Sequence, residues 1–133
     1  MSSGLFKSLQ SIAVIMDMQP RLISSVLDGE DLIESVTLFA KGAGLLGLPI
    51  VITEQVPEKL GSTMTEILNE VDDQRLVRKN SFSAFGSREF VDYLNEFSID
   101  HLFLVGVETP ICIYLTALDA LKNDLEVSII TDC

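Results

Sequence analysis

The chain has 133 residues, which suits one domain, and 47% of them are hydrophobic, enough for a packed core and against a disordered chain. Lys and Arg number 9 against 20 Asp and Glu, a net charge of −11 without a basic stripe, which argues against nucleic acid and anionic membranes as partners. No apolar run reaches the roughly 18 residues of a membrane helix, the first ten residues do not read as a secretion signal, and the two cysteines, Cys112 and Cys133, are too few for a disulfide scaffold, so a reduced, cytoplasmic setting is expected.

Residues 11–16 form a short apolar run stopped by Asp17, the pattern of a strand buried on both faces. Over 31–47, Leu32, Ile33, Val36, Phe39, Ala40, Ala43 and Leu46 recur at helical spacing and predict an amphipathic helix, closed by Gly47 and Pro49. Gly42 and Gly44 inside it suggest close packing rather than a phosphate loop. Residues 49–53 predict a second strand, 64–71 a short helix and 75–78 a weak third strand. Residues 87–97 predict a helix with Phe90, Val91, Leu94 and Phe97 inward. A fourth strand is expected over 102–107, a helix over 110–123 and a fifth strand over 126–131.

Strands and helices alternate throughout, so the expected fold class is α/β: a three-layer, Rossmann-like parallel sheet with helices on both faces. Right-handed crossovers leave few topologies. The order 3-2-1-4-5 puts a switch point between strands 1 and 4, where ligands sit beyond the carboxyl ends of the strands. At that edge fall Asp17, Glu54, Gln55, Lys79, Asn80, Glu108, Thr109 and Cys112. The one histidine, His101, falls at the opposite edge, which rules out a Cys-His dyad and a histidine-rich metal site. Neither a Gly-x-Gly-x-x-Gly nor a Walker-type loop occurs.

Cys112 is the sharpest single feature. Thr109 suits a helix N-cap and Pro110 the first helical position, which puts Cys112 in the first turn. The helix dipole there favours a thiolate, and the backbone N–H groups can hold a developing oxyanion. The plainer alternative is a buried cysteine packed as a small hydrophobe. Lys79 offers a cation for the thiolate and Asp17 a carboxylate to move protons. Glu108 and Glu54 are rival carboxylates, and spacing does not choose among the three.

Three segments, in order, resemble the isochorismatase-like cysteine hydrolase family. Residues 14–19 (Val-Ile-Met-Asp-Met-Gln) are similar to its first strand with a catalytic aspartate. Residues 78–85 (Arg-Lys-Asn-Ser-Phe-Ser-Ala-Phe) are similar to its lysine segment, and residues 104–119, around Cys112, to its nucleophile segment. Thr131-Asp-Cys133 resembles the start of the family's strand-5 terminus. Residues 53–57 (Thr-Glu-Gln-Val-Pro), with Leu60 and Gly61, resemble the isochorismatase domain-containing subgroup more than the nicotinamidases.

The resemblance implies a catalytic triad of Asp17, Lys79 and Cys112, a cis peptide between Val107 and Glu108, and an oxyanion hole from the backbone N–H groups of Glu108 and Cys112. It implies hydrolysis of an amide-type C–N bond of a small molecule through a cysteine thioester. Pro110 stands where many relatives carry histidine. Nicotinamidases hold a metal with an aspartate and histidines after strand 2; residues 53–57 have no histidine, so no metal and no cofactor are expected. The family adds a helix and a sixth strand after strand 5, and both are absent from residues 1–133, read as a single domain. Strand 5 is then an open apolar edge, and a homo-oligomer is expected to cover it. The alternative function is a non-catalytic or low-activity binding or scaffold protein that retains the fold.

Overall fold

The computed structural model describes residues 10–73, 75–107 and 109–130. Five strands form one parallel sheet in the order β3-β2-β1-β4-β5: β1 is Ser11–Met16, β2 Ile50–Gln55, β3 Arg75–Lys79, β4 His101–Gly106 and β5 Glu126–Ile129. The expected order is the observed one. The central strands β1 and β2 are buried along their whole length, as both-face burial of a parallel sheet requires.

The helices, in chain order, are α1 (Pro20–Ile23), α2 (Gly29–Leu45), α3 (Pro57–Leu60), α4 (Thr65–Leu68), α5 (Arg88–Glu96) and α6 (Tyr114–Lys122). A 3₁₀ turn spans Ala84–Gly86, and a π-helical turn, Thr109–Ile113, leads into α6. One sheet face, carrying Ile12, Val14, Leu102 and Leu104, packs on Phe90 and Leu94 of α5 and on Ala117 and Ala120 of α6. The other, carrying Ala13, Ile15, Ile52 and Val105, packs on Val36, Ala40 and Ala43 of α2 and on Ile67 of α4. Each fully buried Ile, Leu or Val contributes about 1.5–3 kcal/mol through removal from water.

Some expectations need correction. Phe97 lies one residue beyond the end of α5 and is 45% exposed, so the inward position goes to Tyr93. Phe97 instead packs its ring beside Tyr93, 4.7 Å away, and Arg75 stacks over Tyr93 at 4.3 Å. Burial pushes the Tyr93 phenol above its usual pKa, and the Arg75 charge opposes that shift. Leu46 lies past the end of α2 and is exposed, not inward. Gly42 and Gly44 have open space where a side chain would stand, so they are not close-packing positions. The helix expected over 64–71 is the single turn α4. Helices α1 and α3, four residues each, are too short to leave a periodic signal.

Candidate active site

The carboxyl edge of the sheet gathers the polar side chains. Asp17 follows β1 directly and adopts a left-handed backbone, φ 57°, which aspartate tolerates better than most residues. Its backbone N–H donates to the Thr53 carbonyl at 3.0 Å. The Thr53 hydroxyl, on β2, donates to Asp17 Oδ1 at 2.7 Å.

Lys79 ends β3, the edge strand beyond β2. Along that strand Val77 and Lys79 are buried while Arg75, Leu76 and Arg78 are exposed, so alternation sends the lysine inward. Its ammonium reaches over Gln55, its partner in the β2–β3 register, toward β1. Nζ donates to Asp17 Oδ2 at 3.0 Å and to Gln55 Oε1 at 2.7 Å, and to the carbonyls of Ser81 at 3.2 Å and Phe82 at 2.9 Å. Cys112 Sγ lies 3.8 Å from the same nitrogen. An ammonium has three N–H donors, so these five acceptors share them. The side chains of Lys79 and Asp17 are both 0% exposed.

Cys112 arrives from beyond β4 on the wide turn Thr109–Ile113, one residue earlier in onset than the expected helix. Such π-helical turns recur at functional sites. Its residue is 4% exposed and packs in the cluster with Ile113 and Ala117. The close approach of β4 to β1 depends on Gly106: at φ +116° it lies against the Met16 backbone, where a Cβ would overlap the carbonyl oxygen.

The two loops flanking the site are fastened. Gln19 is wholly buried and clips β1 to β2: it accepts from the Gln55 N–H at 2.8 Å and donates to the carbonyls of Gln55 at 3.0 Å and Gly61 at 2.6 Å. On the other side, Ser83 donates to Asp119 Oδ2 at 2.7 Å and Thr116 accepts from the Ala84 N–H at 3.0 Å, which ties the segment after β3 to α6.

Geometry separates the rival carboxylates. Glu54, next to Gln55 and so on the opposite face of β2, takes both the N–H and the hydroxyl of Thr63, each at 2.8 Å. It holds the 61–64 segment, while Asp17 holds Lys79. Glu108, its peptide with Val107, its part in an oxyanion hole and Cys133 lie outside the described residues. His101 opens β4 at the far edge, its Nε2 2.9 Å from Ser128 Oγ. Among the described residues no three His, Cys, Asp or Glu side chains gather as a metal site. Two clefts bordering α2, of about 450 and 570 Å3, include none of Asp17, Lys79 or Cys112, so the site is defined by its side-chain network rather than by those hollows. Thr53, Gln19 and Gly106 carry no role in the sequence reading; buried polar residues at the ends of apolar runs are the signal that marks the first two.

A parallel sheet with a switch point between β1 and β4, and an acid, a cation and a thiol brought together there, defines an α/β domain with a candidate site in the usual place for such sheets. The chain belongs to the isochorismatase family: the model of the isochorismatase domain matches residues 11–133. This is a family of isochorismatase-like hydrolases. Isochorismatase domain-containing protein 1 of the zebrafish Danio rerio is 33% identical over 123 residues, covering 92% of this chain and 43% of that protein. The structure of MAR1 ribonuclease from Caenorhabditis elegans superposes with a TM-score of 0.86 at 25% identity, over 94% of this chain and 64% of that one. The YcaC gene product of Escherichia coli, described as an octameric hydrolase of unknown specificity, gives 0.87 at 21% identity, over 99% and 67%. The chain spans less than two thirds of the first two of these proteins. Among the described residues no helix is long and apolar enough to cross a membrane.

Proposed function

We propose that the chain is a cytoplasmic cysteine hydrolase of small molecules, with Asp17, Lys79 and Cys112 as its triad, cleaving an amide-type C–N bond through a thioester. One observation carries the reading: a single buried ammonium touches Asp17 Oδ2 at 3.0 Å and Cys112 Sγ at 3.8 Å. The ammonium favours the thiolate by charge. The thiol proton passes to Asp17, and sulfur attacks the substrate carbonyl carbon. As the C–N bond breaks, Asp17 returns that proton to the leaving nitrogen. Water then attacks the thioester, Asp17 takes its proton, the C–S bond breaks and the acid leaves. The backbone N–H groups of Glu108 and Cys112 are the proposed oxyanion donors.

The donor set favours chemistry without a metal or other cofactor. At the end of β2 the carboxylate of Glu54 is committed to Thr63 and the amide of Gln55 to Lys79, and residues 53–57 hold no histidine. The neighbour from C. elegans is named a ribonuclease. A net charge of −11 and a site whose cation already bonds Asp17 favour a small substrate over a polyanion. A homo-oligomer is part of the proposal. The E. coli neighbour is described as an octamer, and α2 turns Leu38 and Leu45 to solvent, the latter 84% exposed.

A second reading, a binding or scaffold protein, draws on the 4% exposure of Cys112 and its place in the apolar cluster. A screen of small amides with Cys112→Ala as the blank separates the two. Turnover lost in the variant supports the hydrolase; no turnover, with Cys112 inert to iodoacetamide at neutral pH, supports the scaffold.

A further inference from the structure

Of the contacts made by the Lys79 ammonium, the shortest is not to its carboxylate partner but to a neutral amide, Gln55 Oε1 at 2.7 Å. Gln55 is two residues after Thr53, so both side chains leave β2 on the same face. One face of one strand end thus holds both charged groups: Thr53 donates to Asp17 Oδ1 and Gln55 accepts from Lys79. Gln55 is itself fixed at three points. Its N–H and its carbonyl are clipped by Gln19, at 2.8 and 3.0 Å, and its Nε2 donates to the Asn80 carbonyl at 3.4 Å. Its oxygen faces Nζ.

We propose that Gln55 is the positioning residue of the Lys79–Cys112 pair, and that it acts because it is an uncharged acceptor. This rests on the proposed triad. Two demands meet at Nζ. The ammonium must be held in place, which needs strong acceptors. Its charge must also remain available to the sulfur 3.8 Å away, which a second carboxylate would compensate. A glutamine oxygen meets the first demand without defeating the second. A glutamate in the same place would fit the same space and bind the ammonium more strongly. It would also set a second negative charge on the nitrogen that the thiol faces, and a like charge nearby opposes ionisation of the thiol. The choice of amide over acid thus tunes the thiol while leaving the shape of the site alone.

The test is the pH profile of iodoacetamide alkylation of the Cys112 peptide, read by mass spectrometry in the intact chain, for the parent, Gln55→Glu, Gln55→Met and Lys79→Met. Gln55→Glu should move the midpoint up by about one pH unit or more, so that alkylation well below the midpoint slows about tenfold. Gln55→Met removes the acceptor without adding charge. Nζ then settles onto Asp17, and the midpoint rises by a smaller step, about half a pH unit. A glutamine that merely staples two strand ends would lower the melting temperature in both variants and leave the midpoint in place. Either folded variant matching the parent's profile overturns the proposal, as does a larger shift for Met than for Glu. If Gln55→Glu does not fold, the Met variant still decides. A profile unmoved by Lys79→Met overturns the triad itself; one moved by Lys79→Met but by neither Gln55 variant overturns only the role of Gln55.

Discussion

Replacing Lys79 by Met should destabilise the fold by about 3–5 kcal/mol, the cost of leaving one partner of a buried ion pair uncompensated. Both side chains of the pair are 0% exposed, so the abandoned Asp17 carboxylate is left away from bulk water. The loss also strips a donor from Gln55 Oε1 and from the carbonyls of Ser81 and Phe82, which pushes the cost toward the upper figure. A domain of this size has about 5–15 kcal/mol in total, so the variant stands near the limit of folding. Asp17→Asn should cost less, about 1–3 kcal/mol. Its amide keeps an oxygen for Thr53, and Lys79 keeps three oxygen acceptors. The double variant removes both charges, so its cost should fall below the sum of the singles by about 1–3 kcal/mol. Urea unfolding followed by circular dichroism, with one slope for all four proteins, gives each number. Additive costs, with Lys79→Met below about 1 kcal/mol, would refute the reasoning, because that is how a solvated surface pair behaves.

Gly106→Ala should unfold the carboxyl edge or cost several kcal/mol, since its Cβ would overlap the Met16 carbonyl at φ +116°; thermal melting checks this, and an unchanged melting temperature contradicts it. Turnover, once a substrate is found, should survive chelation, and loss on chelation with recovery by zinc or iron would count against the metal-free proposal. Light scattering at micromolar concentration should give an oligomer that buries on the order of 1,000 Å² or more per contact. Leu38→Glu and Leu45→Glu should weaken it if the exposed face of α2 takes part, and a sharp monomer in the parent would contradict the assembly.

The sheet was largely legible because parallel strands announce themselves as unbroken apolar runs. Residues 11–16 coincide with β1 to the residue, and alternation with handed crossovers narrows the strand order to a few, the observed one among them. Helix α2 was legible through Val36, Ala40 and Ala43, whose spacing fixes a buried face. Ends were less so. Phe97 and Leu46 keep helical spacing one residue too long, and periodicity carries no mark of where the backbone turns away. At the site, Asp17, Lys79 and Cys112 emerged from position at strand ends together with resemblance. Thr53, Gln55 and Gln19 could not be assigned partners, because their bonds exist only once β1, β2 and β3 lie side by side. Glu54 and Asp17 looked equivalent in sequence; only the pleat of β2, which turns Glu54 to Thr63, tells them apart.

The acyl-enzyme itself offers the most direct measurement. An activated ester such as p-nitrophenyl acetate needs no proton for its leaving group. In Asp17→Asn the Lys79 ammonium still favours the thiolate, its proton going to solvent, so Cys112 can be acylated while hydrolysis of the thioester lacks its base. Mass spectrometry after mixing and acid quenching should find the acetyl group on the Cys112 peptide. It should be transient in the parent and accumulate in Asp17→Asn, with a stoichiometric burst of nitrophenol and turnover slowed by about 10²-fold or more. Cys112→Ala should show neither burst nor adduct. Hydrolysis by Cys112→Ala at the parent's rate, or the absence of acetyl-Cys112 from every variant, would contradict the assignment of Cys112 as the nucleophile.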